Sequence, residues 1–177
     1  MKQIVLTGTG GQGLILAGII LAEAAVLDGK QAIQTQSYGP EARGGASRAE
    51  VLISDETIDY PKVLKADTLL AMSQEAFNKY AGHIGAGGSL VVDSTFVREL
   101  KETKAKLIAL PITRAAKEQL GRDMFANIIA LGAIVGITET VSRESLVAAV
   151  LARVPKGTEE KNRQAIDIGF QLAREAQ

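Results

Sequence analysis

The sequence predicts an α/β fold, a three-layer α/β/α single domain with a mixed, mostly parallel sheet and a helical C-terminal third. Three observations predict it. The chain has 177 residues, enough for one compact core, so residues 1–177 are expected to form a single domain. Short β-prone apolar runs alternate with helical patterns through the first two thirds. From Arg114 onward the pattern is helical, which adds helices to the layered α/β core.

The chain opens with a strand and a helix joined by glycines. Ile4 to Thr7 is a short apolar run, as in a buried strand. Gly13 to Leu27 is apolar on nearly every side and ends at Asp28-Gly29, a typical helix stop. A helix of this kind is expected to pack on the sheet and against a neighbour as well.

The next two strands make the sheet mixed. Gln31 to Thr35 is a weak second strand, and Ser47 to Ser54 alternates between apolar and polar residues as a third. Residues 36 to 46 are too few, and too rich in glycine and proline, for the helical crossover that a parallel connection needs. Strand three therefore pairs antiparallel to strand two, or joins the sheet elsewhere through an extended loop.

Further elements follow in regular order. Ser73 is a helix N-cap, Gly85 to Gly88 form a turn, Pro111 ends a strand, and Ser142 and Thr158 are N-caps. The remaining predicted strands are Asp67 to Met72, Leu90 to Asp93 and Leu107 to Leu110. The remaining predicted helices are Arg114 to Leu120, Met124 to Gly136, Ser142 to Val154 and Glu159 to Ala176.

Composition excludes several functions for this chain alone. It contains 20 Lys and Arg against 20 Asp and Glu, so no overall field attracts nucleic acid or an anionic membrane. Without cysteine it cannot hold an iron–sulfur cluster, a thiolate zinc site or a Cys nucleophile, and no metal site is expected. The N-terminus is no signal peptide, and Leu14 to Leu27 is too short to span a bilayer. A cytoplasmic location is expected.

The first glycine loop satisfies G-x-G-x-x-G after a strand and before a helix. Its candidate phosphate- or coenzyme A-binding residues are Gly8, Gly10, Gly11, Gln12 and Gly13. The acid that should end strand two in a dinucleotide site is missing, since residues 34–36 are Gln, Thr and Gln. No Lys-Ser/Thr pair follows, as a Walker loop would require. The alternative is that the glycines only pack the helix against the strand.

A second loop, QSYGPEARGGASRAEV, is stiff and charged. Tyr and Arg are enriched at protein–protein hot spots, and Arg also binds phosphates and carboxylates. The candidate partner-interface residues are Tyr38, Glu41, Arg43, Gly44 and Gly45. The alternative is a surface turn with solvated charges, in which Glu41 pairs with Arg43 or Glu50 with Arg48.

No catalytic residue emerges, because no nucleophile–base pair and no carboxylate dyad is visible. Asp93-Ser94-Thr95 ends a strand on the ligand-binding edge but is expected to cap the next helix. His83, the only histidine, is expected on the surface. Asn127 is expected to bond backbone or a neighbouring loop, and Lys161 with Asn162 to form a solvated first turn.

Taken together, the two loops resemble those of a known family. The resemblance rests on GTGGQGLILAGIILAEAA, QSYGPEARGGASRAEVLIS, KADTLLAMSQEAF, GGSLVVDST, NIIALGAIVG and KNRQAIDIG, in this order. The set resembles the gamma subunit of the 2-oxoacid:ferredoxin oxidoreductases, most closely the 2-oxoglutarate type, from about Ile4 to Gly169. Pyruvate-type gamma chains tend to carry Arg-Arg-Gly-Ala/Pro where this chain has Glu41-Ala42-Arg43-Gly44-Gly45.

The resemblance implies an accessory subunit of an enzyme that oxidatively decarboxylates a 2-oxoacid to an acyl-CoA and reduces ferredoxin. It implies thiamine diphosphate, Mg and iron–sulfur clusters on other subunits, no cofactor held firmly here, and coenzyme A as substrate. The implied partners are alpha, beta and delta subunits and, through the complex, ferredoxin, with a homodimer in isolation also open. Still open as alternatives are a stand-alone NAD(P)- or CoA-binding Rossmann-like domain, and gamma subunits for pyruvate, branched-chain or aryl oxoacids.

Overall fold

A six-stranded sheet forms the middle layer of the protein in the computed structural model, which describes residues 1–37 and 46–177. The spatial order of the strands is β2-β3-β1-β4-β5-β6. Their bounds are β1 Lys2–Thr9, β2 Gln31–Gln36, β3 Ala46–Ser54, β4 Ala66–Ala71, β5 Ile84–Asp93 and β6 Lys106–Leu110.

The sheet is mixed, as predicted. Strands β1, β4, β5 and β6 run parallel to one another, whereas β3 lies antiparallel between β1 and β2. Of the two connections left open for the third strand, the antiparallel pairing with β2 is the observed one, with Gln34 opposite Val51. Thr9 pairs with Ala46 in the β1–β3 register. The start of the glycine loop therefore lies beside the end of the second loop.

In residues 1–37 and 46–177, six α-helices cover the sheet unequally. Their bounds are α1 Leu14–Leu27, α2 Gln74–Tyr80, α3 Ile112–Leu120, α4 Ala126–Thr138, α5 Arg143–Arg153 and α6 Glu159–Glu175. Helices α1, α3, α4, α5 and α6 share the larger hydrophobic core on one face. The other face carries a smaller core in which α2 contributes Phe77 and Tyr80. The predicted helical C-terminal third and the three layers are thus confirmed.

The close contact between α4 and α6 depends on two glycines. A Cβ added to Gly132 would lie 2.5 Å from the carbonyl oxygen of Ile166, and one added to Gly169 would lie 2.2 Å from that of Ile129. Real Cβ atoms do not approach backbone this closely, so the two helix backbones are in direct contact at these positions. Helix α4 is buried from Ala126 to Val135, which is why its sequence lacks a polar face.

The end of α1 is tied to the start of α5 by one carboxylate. Asp28 accepts hydrogen bonds from the hydroxyls of Ser142 and Ser145 and from the backbone N–H of Ser142. Burial raises the pKa of this carboxyl, but the hydrogen bonds from Ser145 and Ser142 and the charge of Lys30 outweigh it and leave the pKa lowered. The predicted helix stop at Asp28-Gly29 is confirmed, with Gly29 at φ 75°.

Three local predictions are wrong. Gly85 to Gly88 do not form a turn that precedes the strand; they lie inside β5 as an irregularity, because Ile84 pairs with Ala66 and Ser89 with Thr68. Thr158 precedes α6 without a side-chain cap, since its hydroxyl donates to the carbonyl of Pro155. Asn162 is buried rather than solvated, and its amide donates to the carbonyl and hydroxyl of Thr158.

The predicted cap at Ser142 is confirmed, because its hydroxyl accepts from the N–H of Ser145. Ser73 caps α2 in the same way through the N–H of Ala76. Over residues 1–37 and 46–177, none of the helices is long and apolar enough to cross a membrane.

Candidate functional site

The first glycine loop lies where ligands bind in α/β sheets. It follows the carboxyl end of β1 and leads directly into α1. Helix α1 packs on one face of the sheet, while α2, which follows the neighbouring strand β4, packs on the other. Connections that leave in opposite directions open a crevice at the ends of adjacent parallel strands. The loop is therefore at a switch point of the sheet.

Gln12 holds the turn in shape. Its side-chain oxygen accepts from the N–H of Thr9 at 2.7 Å, and its amide nitrogen donates to the carbonyl of Met72 at 3.1 Å. A Cβ on Gly8 would lie 2.3 Å from that same oxygen and 2.5 Å from Leu14. Two of the five predicted loop residues, Gly8 and Gln12, thus have a structural role within the turn.

Gly13 joins the loop to the buried helix α4. Its φ of 73° is in the left-handed region, and its carbonyl accepts a 3.2 Å hydrogen bond from the side-chain amide of Asn127. A Cβ here would lie 2.6 Å from that amide nitrogen. The expectation that Asn127 bonds a neighbouring loop is confirmed. The partner, 114 residues away, could not be chosen from the sequence.

Gly10 and Gly11 are the open part of the loop. Among the described residues, a Cβ at either position would meet no atom within 4 Å, and Gly11 has a φ of 89°. No side chain in the described ranges caps the N-terminus of α1, so backbone N–H groups there can serve an anion or a partner. Gly10 and Gly11 are thus the most exposed of the predicted loop residues.

A cavity of about 330 Å³ lies beside this loop. Phe96, 44% exposed, and Met124, 53% exposed, give it apolar walls. Its lining residues are Gly11, Gln12, Gly13, Phe96, Thr113, Asp123, Met124, Ala126 and Asn127.

Asp93 fixes one wall of the cavity. This fully buried carboxylate accepts from the N–H and hydroxyl of Thr113, while the hydroxyl of Thr95 accepts from the N–H of Arg114 at 3.0 Å. The bonds from the N–H groups of Thr113 and Arg114 satisfy backbone donors in the first turn of α3. The prediction that this segment caps the next helix is confirmed, and its carboxylate is engaged within the fold.

The second loop leaves the sheet beside the first. The N–H of Ser37 donates to the carbonyl of Arg48 at 3.1 Å, and Ala46 pairs with Thr9. The first loop thus starts beside the point where the second loop enters β3. The predicted interface residues Tyr38, Glu41, Arg43, Gly44 and Gly45 lie outside the described residues.

A polar cluster at the base of the second loop was not predicted as a unit. Arg48 pairs with Glu50 at 2.6 Å, which the sequence left as one alternative, and lies 3.3 Å from Nδ1 of His83. Its guanidinium is 5.2 Å from the ring centre of Tyr80, a cation–π distance. His83 is exposed, as expected, and Glu50 also accepts from the N–H of Val63. The cluster links the loop base to α2.

The groups at this edge can bind and position another molecule. In the described part of the chain, no three His, Cys, Asp or Glu side chains are grouped to hold a metal ion. Lys161, expected to be solvated, is exposed and donates to the carbonyl of Leu120. What the edge offers is open glycine backbone and an apolar-walled cavity beside the base of a charged loop.

Comparison with known proteins decides the family. The family model described as pyruvate ferredoxin/flavodoxin oxidoreductase matches residues 3–172. The chain belongs to this family. The resemblance seen in the two loops is confirmed, and the chain is a subunit of a multi-subunit oxidoreductase. A stand-alone dinucleotide-binding domain is not favoured.

Individual oxidoreductase relatives cover the whole chain. The 2-oxoglutarate synthase subunit KorC of Methanocaldococcus jannaschii is 51% identical, over 98% of this chain and 95% of the relative. A keto/oxoacid ferredoxin oxidoreductase gamma subunit from Geobacter sulfurreducens is 50% identical with a TM-score of 0.91, over 99% of this chain and 100% of that one.

A longer protein contains the same fold. The 2-oxoglutarate:ferredoxin oxidoreductase of Magnetococcus marinus, solved with 2-oxoglutarate, coenzyme A and succinyl-CoA, matches at TM-score 0.88 and 24% identity. This chain is covered to 99%, but the match spans 31% of that chain. At this identity the match shows the fold alone. The fold can therefore be one part of a larger polypeptide.

Proposed function

We propose that residues 1–177 form one gamma-subunit domain of a 2-oxoglutarate:ferredoxin oxidoreductase. The complex converts 2-oxoglutarate, coenzyme A and oxidised ferredoxin to succinyl-CoA, CO2 and reduced ferredoxin. The observation that carries the proposal is the pairing of Thr9 with Ala46, which brings both motif loops to one sheet edge in a chain 51% identical to a KorC subunit. A cytoplasmic location goes with this role.

The absence of cysteine from this chain indicates which cofactors the other subunits hold. It has no cysteine, so iron–sulfur clusters must be held by other subunits. Thiamine diphosphate and Mg belong with the alpha and beta subunits in this proposal, and a delta subunit and ferredoxin complete the electron path. This chain supports assembly of the complex and shapes the part of the active centre that receives coenzyme A. The residues proposed for this role are Gly10, Gly11 and the loop 38–45.

Arg43 is the residue of the second loop with the strongest expected effect on assembly. Changing Arg43 to alanine removes a five-donor cation of the kind that dominates interface hot spots, with a cost of about 2 kcal/mol or roughly thirtyfold in affinity. We expect a matching fall in the yield or turnover of the complex purified with the variant chain.

The matched control is Arg163→Ala, an exposed arginine on α6 far along the chain from both loops. It should leave yield and turnover unchanged. Equal behaviour of the Arg43 and Arg163 variants would contradict the assigned docking role of the second loop.

A further inference from the structure

The outer face of helix α1 is apolar, and the described residues leave much of it exposed. Successive residues of an α-helix are 100° apart, which places seven residues of α1 within one sector of about 140°. They are Ile15, Leu16, Ile19, Ala22, Glu23, Val26 and Leu27, defined here as the α1 outer face. All seven are half-buried or exposed, with Val26 at 60% and Leu27 at 59% exposure. A four-turn helix thus presents six apolar side chains and one charge.

A groove extends this face toward helix α5. It encloses about 770 Å³ and is lined by Ala22, Val26, Leu27 and three alanines of α5, Ala148, Ala149 and Ala152. Its two charged residues, Glu23 and Arg153, form an ion pair with each other. The groove therefore has no unpaired charge, and a partner surface that fits it would be uncharged and apolar.

The rest of the fold does not require this face to be apolar. The inward side of α1 already fills the core with Leu14, Ile20 and Leu21, which are at most 1% exposed. Outward positions of a solvated helix normally carry polar residues, and monomers rarely leave contiguous apolar patches open to water. The sequence expectation that α1 packs against a neighbour as well as the sheet thus has its physical counterpart here.

The α1 outer face continues the edge proposed to meet the larger subunits. Helix α1 begins one residue after Gly13, so Ile15 and Leu16 lie next to the glycine loop. Strand β2, the end strand of the sheet, lies against α1 and leads into the loop 38–45. β2 has no charged residue or proline, the usual devices that keep an edge strand unpaired.

The partner that covers this face is inferred from the larger proteins in which this fold occurs. In the Magnetococcus chain the same fold fills 31% of a longer polypeptide, so further domains are joined to it. We propose that the α1 outer face is a principal contact with the larger catalytic subunits, which cover it with an uncharged apolar surface. The inference rests on the proposed function and adds a second contact region to the loop edge.

A charge-neutral double variant tests the proposal. Leu16→Glu places an acid in the first turn of α1 and Val26→Lys a base in the last, so both suit the helix dipole and the fold should persist. The control is Leu64→Glu with Leu100→Lys, at two leucines outside α1 that are 77% and 48% exposed. Each tagged chain is co-expressed with the alpha, beta and delta subunits of its own organism, and the affinity for them is measured.

The expected result is a loss of about thirtyfold or more in affinity for the α1 variant and less than twofold for the control. Assembly of the α1 variant at wild-type affinity would overturn the inference while leaving the proposed function intact. Failure of the wild-type chain to recover the larger subunits would instead refute the proposed function. A variant that breaks a homodimer yet still assembles would assign the face to a second copy and overturn the inference too.

A second readout does not depend on the variant folding. Hydroxyl-radical footprinting of the wild-type chain measures how strongly Leu16, Val26 and Leu27 react before and after assembly. Their reactivity should fall several-fold in the complex, while that of Leu64 should not change. Undiminished reactivity of the three α1 residues in the assembled complex would contradict the inference.

Discussion

Replacing Gly169 with alanine is expected to lower the melting temperature of the isolated chain by about 4–8 °C, for a loss of about 2 kcal/mol. The added methyl group would lie 2.2 Å from the carbonyl oxygen of Ile129 and 2.6 Å from the backbone nitrogen of Ala133. These atoms belong to the backbone of α4, so relief requires the two helices to separate. Alanine gains about 1 kcal/mol in helix propensity, which the overpacking exceeds.

Gly82→Ala is the matched control for this stability measurement. Gly82 is exposed, and a Cβ there would meet nothing within 4 Å. Thermal and denaturant unfolding of the two variants should separate clearly, with the control close to wild type. A Gly169→Ala chain as stable as wild type would show that α4 and α6 do not touch through their backbones.

Gly13→Ala is expected to destabilise the chain by about 2–3 kcal/mol and to impair the complex. A φ of 73° costs a residue with a side chain about 1–2 kcal/mol, and the new methyl would also displace the Asn127 amide from 2.6 Å. The 3.2 Å hydrogen bond from Asn127 to the Gly13 carbonyl is then lost or strained. Denaturant unfolding measures the first effect, and turnover of the assembled complex the second.

The variant Gly10→Ala tests whether the loop contacts another molecule without disturbing the fold of the loop. A Cβ at Gly10 meets no described atom within 4 Å, so the folded chain should keep its stability. If the open backbone faces coenzyme A or a larger subunit, this variant should raise the KM for coenzyme A or weaken assembly. Wild-type stability and wild-type kinetics together would mean that nothing approaches Gly10, which contradicts the role proposed for the open part of the loop.

The sequence was informative where local pattern controls structure. The apolar runs located β1, β4 and the core of β5, and the shortness of residues 36–46 predicted the antiparallel strand. The helix cap at Ser142 and the stop at Asp28 follow from local signals, and both are confirmed, although the two residues also bond each other across the fold.

Contacts between distant residues could not be read in the same way. Gly132 and Gly169 appear in the sequence as weak points in helices, yet each is required by the backbone of a helix more than 30 residues away. Asn162 looks like a solvated polar residue in the sequence, which does not show that the fold buries it. Gly85 to Gly88 look like a turn, although pairing with β4 keeps them in the strand.

The candidate site also has a part that the sequence predicts and a part that it does not. The glycine loop was located correctly, but the sequence could not show that Gly8 and Gln12 face inward and Gly10 and Gly11 outward. The Arg48 cluster joins three segments through Glu50, His83 and Tyr80, and only the Arg48–Glu50 pair was foreseen. Residues i and i+2 lie on the same side of a strand, which made that pair visible.

The most direct test of the account is to assay the complex with and without this chain. The tagged chain is purified anaerobically with its co-expressed alpha, beta and delta subunits, and dye reduction that depends on both 2-oxoglutarate and coenzyme A is measured. An otherwise identical preparation omits the chain. We expect recovery of the larger subunits with activity, and loss of most of that activity when the chain is omitted. A chain recovered without partners, or full activity without it, would contradict the central claim.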